Sequence, residues 1–242
     1  MMKVWQIRKS PPALKPGEVH VWLAHLPGAL PEIEGLTEVL SPEETARAQQ
    51  FRNTTQGQHW QLTRAILRRL AAHYAQANAP DLGFVLGPHG KPALANPGDT
   101  GLHFNTSHSG DYAVFAFTHA GEVGVDIEQL RKEMPRRDDV ARRYFAPGEW
   151  KQLEAMPEAE RARAFFDCWT RKEAFVKARG EGVFSGLDQF EVALAEPRLV
   201  RLTGGNPMEW SMAALPAVAG HTGAVVVRAT GCDFRALRWS CA

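Results

Sequence analysis

Two carboxylates stand two residues apart in GVDIE, at Asp126 and Glu128, directly after a run that reads as a buried strand. Strand side chains two apart share a face, so Asp126 and Glu128 point the same way while Ile127 enters the opposite layer. Carboxylates held that close repel one another unless a cation lies between them, and an oxygen-only set favours Mg2+ or Mn2+ over zinc. An exposed strand end that happens to be acidic fits the same spacing. Further along, Trp169, Glu173 and Lys177 follow one another at i, i+4, with Phe165 and Phe166 one turn back. A surface Glu–Lys pair accounts for the charges but not for why they continue an aromatic helix face.

His108 in FNTSHSG lies between serines at a strand-to-turn junction, where an imidazole can donate to an anion or exchange a proton. Ser107 and Ser109 lack the GxSxG setting of a hydrolase nucleophile, and no HExxH or related histidine spacing occurs. From Thr45 to Pro80 the chain carries Arg47, Arg52, Arg64, Arg68 and Arg69 and no acid. That cationic stretch reads either as a solvated helix face or as a cradle for a phosphorylated small molecule, since arginine suits bidentate phosphate contacts.

The elements that must position these groups follow from periodicity and punctuation. EVHVWLAHL alternates as a half-buried strand, and SPEETARAQQF opens a helix with Ser41 as cap, Pro42 in the first turn and Glu44 completing a capping box. HWQLTRAILRRLAAHYAQ is a second helix with Leu62, Ile66 and Leu70 on one face. GFVLGPHGKPAL reads as a hairpin, and LHFNTSHSG, DYAVFAFTH and EVGVDIEQL as three strands of a meander. After Arg131 come helices over RRDDVARRYF, PGEWKQLEAM and EAERARAFFDCWTRKEAFVKARG, the last ended by Gly180. FEVAL, EWSMAAL, GAVVVRAT and FRALRW close the chain as strands. The order suggests two α+β halves, 1–122 and 123–242, although no identity between them is visible.

The 242 residues can bury a core without disulfides. Lys and Arg total 28 against 27 for Asp and Glu, so nucleic acid and an anionic membrane are not expected as partners, and any anion must be met locally. Cys168, Cys232 and Cys241 are odd in number and form no CxxC, which argues against a disulfide framework or a structural zinc and fits a reducing cytoplasm. No signal peptide is expected, and no segment approaches the roughly 18 apolar residues of a membrane span.

GKPAL, FNTSHS, GVDIE and WTRKEAFVK, in that order and with similar intervals, closely resemble the motifs of the Sfp-type 4'-phosphopantetheinyl transferase family, over roughly Ser41 to Leu194. The resemblance implies an α+β fold of two similar subdomains related by a pseudo-twofold axis. Each would be a small, mainly antiparallel sheet packed with helices. It implies a cytoplasmic monomer that binds coenzyme A between the halves and moves its phosphopantetheine arm to a serine of an apo acyl or peptidyl carrier protein, leaving adenosine 3',5'-bisphosphate.

Carried over by position, Asp126, Glu128 and Glu173 match the ligands of Mg2+, with Mn2+ as an alternative. Glu173, directly or through a water on the metal, matches the base for the carrier serine, and Lys177 the group that stabilises or protonates the leaving phosphate. Ser107 and His108 match contacts to coenzyme A phosphates, with His108 also placed among the catalytic groups, and Lys91 matches a contact to the nucleotide end. Arg47 matches a basic residue for the 3'-phosphate. Glu44 departs from the pattern, standing where some members carry a lysine, so Arg52 is the expected substitute in that clamp. Arg131 to Lys151 holds seven Lys or Arg against four acids, beside Tyr144, Phe145 and Trp150. It reads either as a solvated helix pair or as a docking face for an acidic carrier.

Two other classes fit parts of the pattern. A metal-dependent nuclease or phosphohydrolase also uses spaced acids and a lysine, but the near-neutral charge and lack of a basic, aromatic stripe count against it. A non-catalytic carrier-binding module would not need the acids, Lys177 and His108 together.

Overall fold

The structure, a computed structural model, describes Met2 and residues 4–96, 101–131, 134, 136–182 and 186–240. Strands β1 (Gln6–Arg8) and β2 (Glu18–His25) lead into short helices α1 (Leu26–Ala29) and α2 (Ile33–Thr37), then α3 (Pro42–Gln49) and α4 (Thr54–Ala75). The hairpin β3 (Gly83–Leu86) and β4 (Pro92–Asn96) precedes β5 (His103–Ser109), β6 (Tyr112–Thr118) and β7 (Val123–Gln129). Helices α5 (Arg137–Tyr144), α6 (Pro147–Glu154) and α7 (Glu158–Arg179) follow. The hairpin β8 (Phe190–Val192) and β9 (Leu199–Leu202), then β10 (Ser211–Ala214), β11 (His221–Val227) and β12 (Asp233–Trp239), complete the chain.

The helix limits have local causes. The capping box at α3 is formed: Ser41 Oγ accepts from Glu44 N at 3.2 Å and Glu44 Oε2 from Ser41 N at 2.9 Å. Asn53 caps α4 by accepting from Gln56 N at 3.0 Å. Gly180 ends α7 in the left-handed region at φ 68°, which a residue without Cβ adopts freely.

Two subdomains emerge from the same element order. A strand (β2 or β7), an eight-residue helix (α3 or α6), a 22-residue helix (α4 or α7), a hairpin and two more strands recur in each. The sheet order repeats as well, as β5-β6-β2 in one and β10-β11-β7 in the other. Helix α4 covers one sheet through Leu62, Ile66, Leu70, Trp22, Phe115 and Phe117. Helix α7 covers the other through Phe165, Phe175, Phe190 and Val226. The opposite faces of the two sheets share a third core of Val19, Val21, Val114, Val125, Ile127 and Val225. Each such side chain contributes on the order of 1.5–3 kcal/mol of transfer free energy.

The expected meander is corrected. Strands β5 and β6 do pair, but β7 leaves them to pair antiparallel with β11, from His221 opposite Gln129 to Val227 opposite Val123. Its other edge runs beside β5 through side chains rather than a backbone ladder. Asn105 Oδ1 accepts from Val125 N at 2.9 Å, and Ser109 Oγ accepts from Gln129 N at 3.0 Å. Polar side chains on β5 thus satisfy amides that a neighbouring strand would otherwise take. The last strand, β12, returns to the first sheet and lies parallel between β1 and β2. No described helix is long and apolar enough to cross a membrane.

Candidate active site

The line where β5, β7 and α7 meet gathers most of the chemistry-bearing side chains. Strand β7 crosses α7 at Gly124, where a Cβ would lie 2.0 Å from Ala174 O and 2.3 Å from Ala178 N. Only glycine permits that approach, which brings the Asp126 and Glu128 face of β7 against the Glu173 and Lys177 side of α7. Ile127 packs away into the core between the sheets, as alternation requires.

Asp126 is buried and receives two donors on one oxygen. Lys177 Nζ lies 2.6 Å and Ser107 Oγ 2.8 Å from Oδ1. Lys177 Nζ also donates to Ser107 Oγ at 3.0 Å, and Ser109 Oγ donates to Glu128 Oε2 at 2.9 Å. Two buried carboxylate oxygens, Asp126 Oδ2 and Glu173 Oε1, have no hydrogen-bond partner among the described residues. Burial, then the Asp126 charge, pushes the Glu173 carboxyl up to about 7, with Lys177 pulling the other way and Glu128 adding to the rise. Burial and Asp126 likewise raise Glu128. With Glu128 and Glu173 both raised beside Asp126, and two buried oxygens unpartnered, the single Lys177 ammonium leaves the three acids short of positive charge. As they stand, no three His, Cys, Asp or Glu side chains among the described residues are disposed to hold an ion. The Lys177 ammonium occupies the Asp126 oxygen instead. The donor chemistry and the two unpartnered oxygens nevertheless fit a hard divalent cation held by Asp126, Glu128 and Glu173.

His108 lies on β5 with its outer side open to solvent, and burial, then the positive charges of Lys177 and His59, hold its imidazole below the usual range. His59, on α4, is a neighbour that sequence reasoning did not single out. Lys91, expected at the nucleotide end, donates from Nζ to Val123 O at 3.0 Å and to Ala178 O at 2.9 Å.

The arginine stretch divides. Arg64 and Arg68 both pair with Glu44, with Arg68 Nε at 2.6 Å from Oε2, and Arg68 also donates to Ala79 O and Leu82 O. Arg69 donates to Gly35 O. Three of the five arginines are therefore structural: Glu44, just outside the acid-free window, folds back onto α4 to hold Arg64 and Arg68, and the Gly35 carbonyl holds Arg69. Arg47 is exposed with its guanidinium 5.8 Å from the Trp60 ring centroid, and Arg52 is exposed in the bend between α3 and α4.

Sequence reasoning also missed Lys172, next to Glu173. It is fully buried, donates to both Glu149 oxygens at 2.8 and 2.7 Å and to Phe190 O at 3.0 Å, and fixes α7 to α6 and β8. Glu149 accepts from Ala146 N and Val192 N as well. The arrangement mirrors Glu44 with Arg68, one subdomain earlier.

Residues 122–226 match the model of the 4'-phosphopantetheinyl transferase superfamily, and residues 29–120 match that of the 4'-phosphopantetheinyl transferase N-terminal region. The chain is 32% identical over 217 residues to the 4'-phosphopantetheinyl transferase HetI of Nostoc sp., covering 88% of this chain and 89% of that one. It is 30% identical over 163 residues to the 4'-phosphopantetheinyl transferase Sfp of Bacillus subtilis, covering 67% and 70%. Over 121 residues, 50% of this chain and 58% of the other, it is 40% identical to the 4'-phosphopantetheinyl transferase AcpT of Salmonella typhi. Similarity that runs through both subdomains and across nearly the whole of HetI establishes that the chain belongs to the Sfp-type 4'-phosphopantetheinyl transferase family.

Proposed function

We propose that the chain transfers the 4'-phosphopantetheine moiety of coenzyme A to a serine of an apo acyl or peptidyl carrier protein, releasing adenosine 3',5'-bisphosphate. Asp126, Glu128 and Glu173 would hold Mg2+, or Mn2+, which when bound supplies charge neutralisation at the pyrophosphate of coenzyme A. The observation that carries this reading is the pair of buried, unpartnered oxygens on Asp126 and Glu173, from two elements, beside one lysine.

The reaction forms a bond from the serine oxygen to the phosphorus of the phosphopantetheine arm and breaks the bond to the bridging oxygen. The serine proton goes to the Glu173 carboxylate, directly or through a water. Lys177 leaves Asp126 to meet the charge developing on the departing bisphosphate, a contribution of about 3 kcal/mol to the barrier. His108 contacts the phosphates from β5, with Ser107 orienting Asp126 and Lys177. Arg47 and Arg52, which carry no ion pair among the described residues, are the side chains left to clamp the 3'-phosphate. The site so formed lies where an N-terminal half, 1–122, meets a C-terminal half, 123–242, whose last strand crosses back.

The carrier would dock on the basic and aromatic surface around α5 and α6, where Arg142 lies 5.1 Å from the Trp150 ring centroid and Arg143 lies 5.2 Å from that of Tyr144. Lys132, Glu133 and Pro135 of that span lie outside the described residues. The unpaired Cys168 and Cys232 support a reducing, cytoplasmic setting. The reading is tested by following adenosine 3',5'-bisphosphate chromatographically in mixtures of enzyme, coenzyme A and Mg2+. Release that requires an apo carrier supports it. Release that is independent of carrier points to hydrolysis and contradicts it.

A further inference from the structure

The proposed metal centre is split between two elements: Asp126 and Glu128 come from β7, Glu173 and Lys177 from α7. What sets the distance between those elements therefore sets the centre. Their crossing is at Gly124, whose missing Cβ faces Ala174 O and Ala178 N. The Lys91 ammonium reaches this crossing from a third element, the turn that connects β3 and β4. It donates to Val123 O, one residue before Gly124, at 3.0 Å, and to Ala178 O, in the last turn of α7, at 2.9 Å.

The hairpin end that carries Lys91 is itself fixed. Gly87 N donates to Lys91 O at 2.9 Å, Gly90 N donates to Gly87 O at 2.9 Å, and Pro92 follows, so the lysine stem starts from a closed turn. Its Cδ lies 3.6 Å from where a Cβ on Gly180 would stand, so the stem runs along the C-terminal cap of α7. A cation at this end also meets the negative pole of the helix. Burial lowers the ammonium's pKa to about 8 while Glu122 pulls it up, so the group remains charged at neutral pH.

We infer that Lys91 is a positioning residue for the metal centre, its ammonium fastening the strand that carries Asp126 and Glu128 to the helix that carries Glu173 and Lys177. This rests on the function proposed above and differs from a simple contact to the nucleotide, since two of the three N–H donors are committed to the crossing. Partners outside a ligand set that orient it typically govern metal affinity by about 10- to 100-fold.

The test compares Mn2+ affinity, read by electron paramagnetic resonance of the free ion, with the affinity for adenosine 3',5'-bisphosphate in EDTA, read calorimetrically. Lys91→Met should weaken Mn2+ by about tenfold or more while nucleotide affinity in EDTA changes by less than about threefold. Lys91→Arg, which keeps donors for both carbonyls, should recover most of the Mn2+ loss. Circular dichroism establishes that each variant is folded, and Lys91→Gln, with its amide donor, replaces Lys91→Met if that variant does not fold. Unchanged Mn2+ affinity with weakened nucleotide binding overturns the inference and leaves the function reading standing. A wild-type protein that binds no Mn2+ and transfers nothing overturns both.

Discussion

Lys177 Nζ lies 2.6 Å from Asp126 Oδ1 and 3.0 Å from Ser107 Oγ, so one ammonium joins α7, β7 and β5. If that ammonium is released to the leaving phosphate, Lys177→Met should lower kcat by about 100- to 1000-fold. Initial rates of carrier modification check this, with circular dichroism confirming the fold. A variant that turns over at nearly the wild-type rate would remove Lys177 from the chemistry.

Gly124 carries a steric prediction. In Gly124→Ala the new Cβ meets backbone at 2.0 Å, which no side-chain rearrangement relieves. The strand must move off α7, costing about 3 kcal/mol or more and separating the acids from Glu173. Gly35→Ala is the control: it lies in α2 with open space around its Cβ and should be neutral or stabilising by up to about 1 kcal/mol. Urea unfolding of both variants makes the comparison, and equal effects would refute it.

The buried Glu149–Lys172 pair predicts a stability effect distinct from catalysis. Lys172→Met leaves Glu149 buried with its charge uncompensated, at a cost of about 3–5 kcal/mol, or a fall in Tm on the order of 10 °C. Glu149→Met combined with Lys172→Met should cost less than the sum of the single changes, because neither charge is stranded. Thermal melts of the three variants decide it. Additive losses would mean that the pair is not coupled.

Glu173 gives a dependence on pH. Its carboxyl rises from an ordinary 4.5 to about 7 in the metal-free fold, so between these values the folded state binds more protons than the unfolded chain. Stability therefore falls as pH rises across that window, by up to about 3 kcal/mol for this group. Glu173→Gln cannot titrate and should lack this component. Denaturant unfolding in EDTA near about pH 5 and about pH 8 should show the wild type losing stability relative to the variant. A constant difference between the two proteins would contradict the raised value.

Much of the site could be read before any fold was known, because its parts are local. The capping box at Ser41 and Glu44, the end of α7 at Gly180 and the alternation that separates Ile127 from its acidic neighbours are properties of a few adjacent residues. What could not be read was non-local. Pairing of β7 with β11 joins residues about a hundred positions apart, and nothing near GVDIE announces it. The arginine stretch misled because its counter-charge, Glu44, sits outside the window that was counted. Lys172 carries no local signal, because its partner Glu149 lies 23 residues earlier. A signal for the repeat was present, since SPEE and APGE each place a glutamate two residues after a proline. Each is followed 23 or 24 residues on by the basic partner, Lys172 or Arg68. Two such matches in 242 residues were too sparse to separate from chance without the sheet order.

The most direct measurement is the intact mass of apo carrier proteins after incubation with the protein, coenzyme A and Mg2+. The account predicts a phosphopantetheine increment on one serine, absent in EDTA, and absent with Asp126→Ala or Glu173→Ala although both variants fold. No increment on any acyl, peptidyl or aryl carrier, or an undiminished one with either variant, would contradict it.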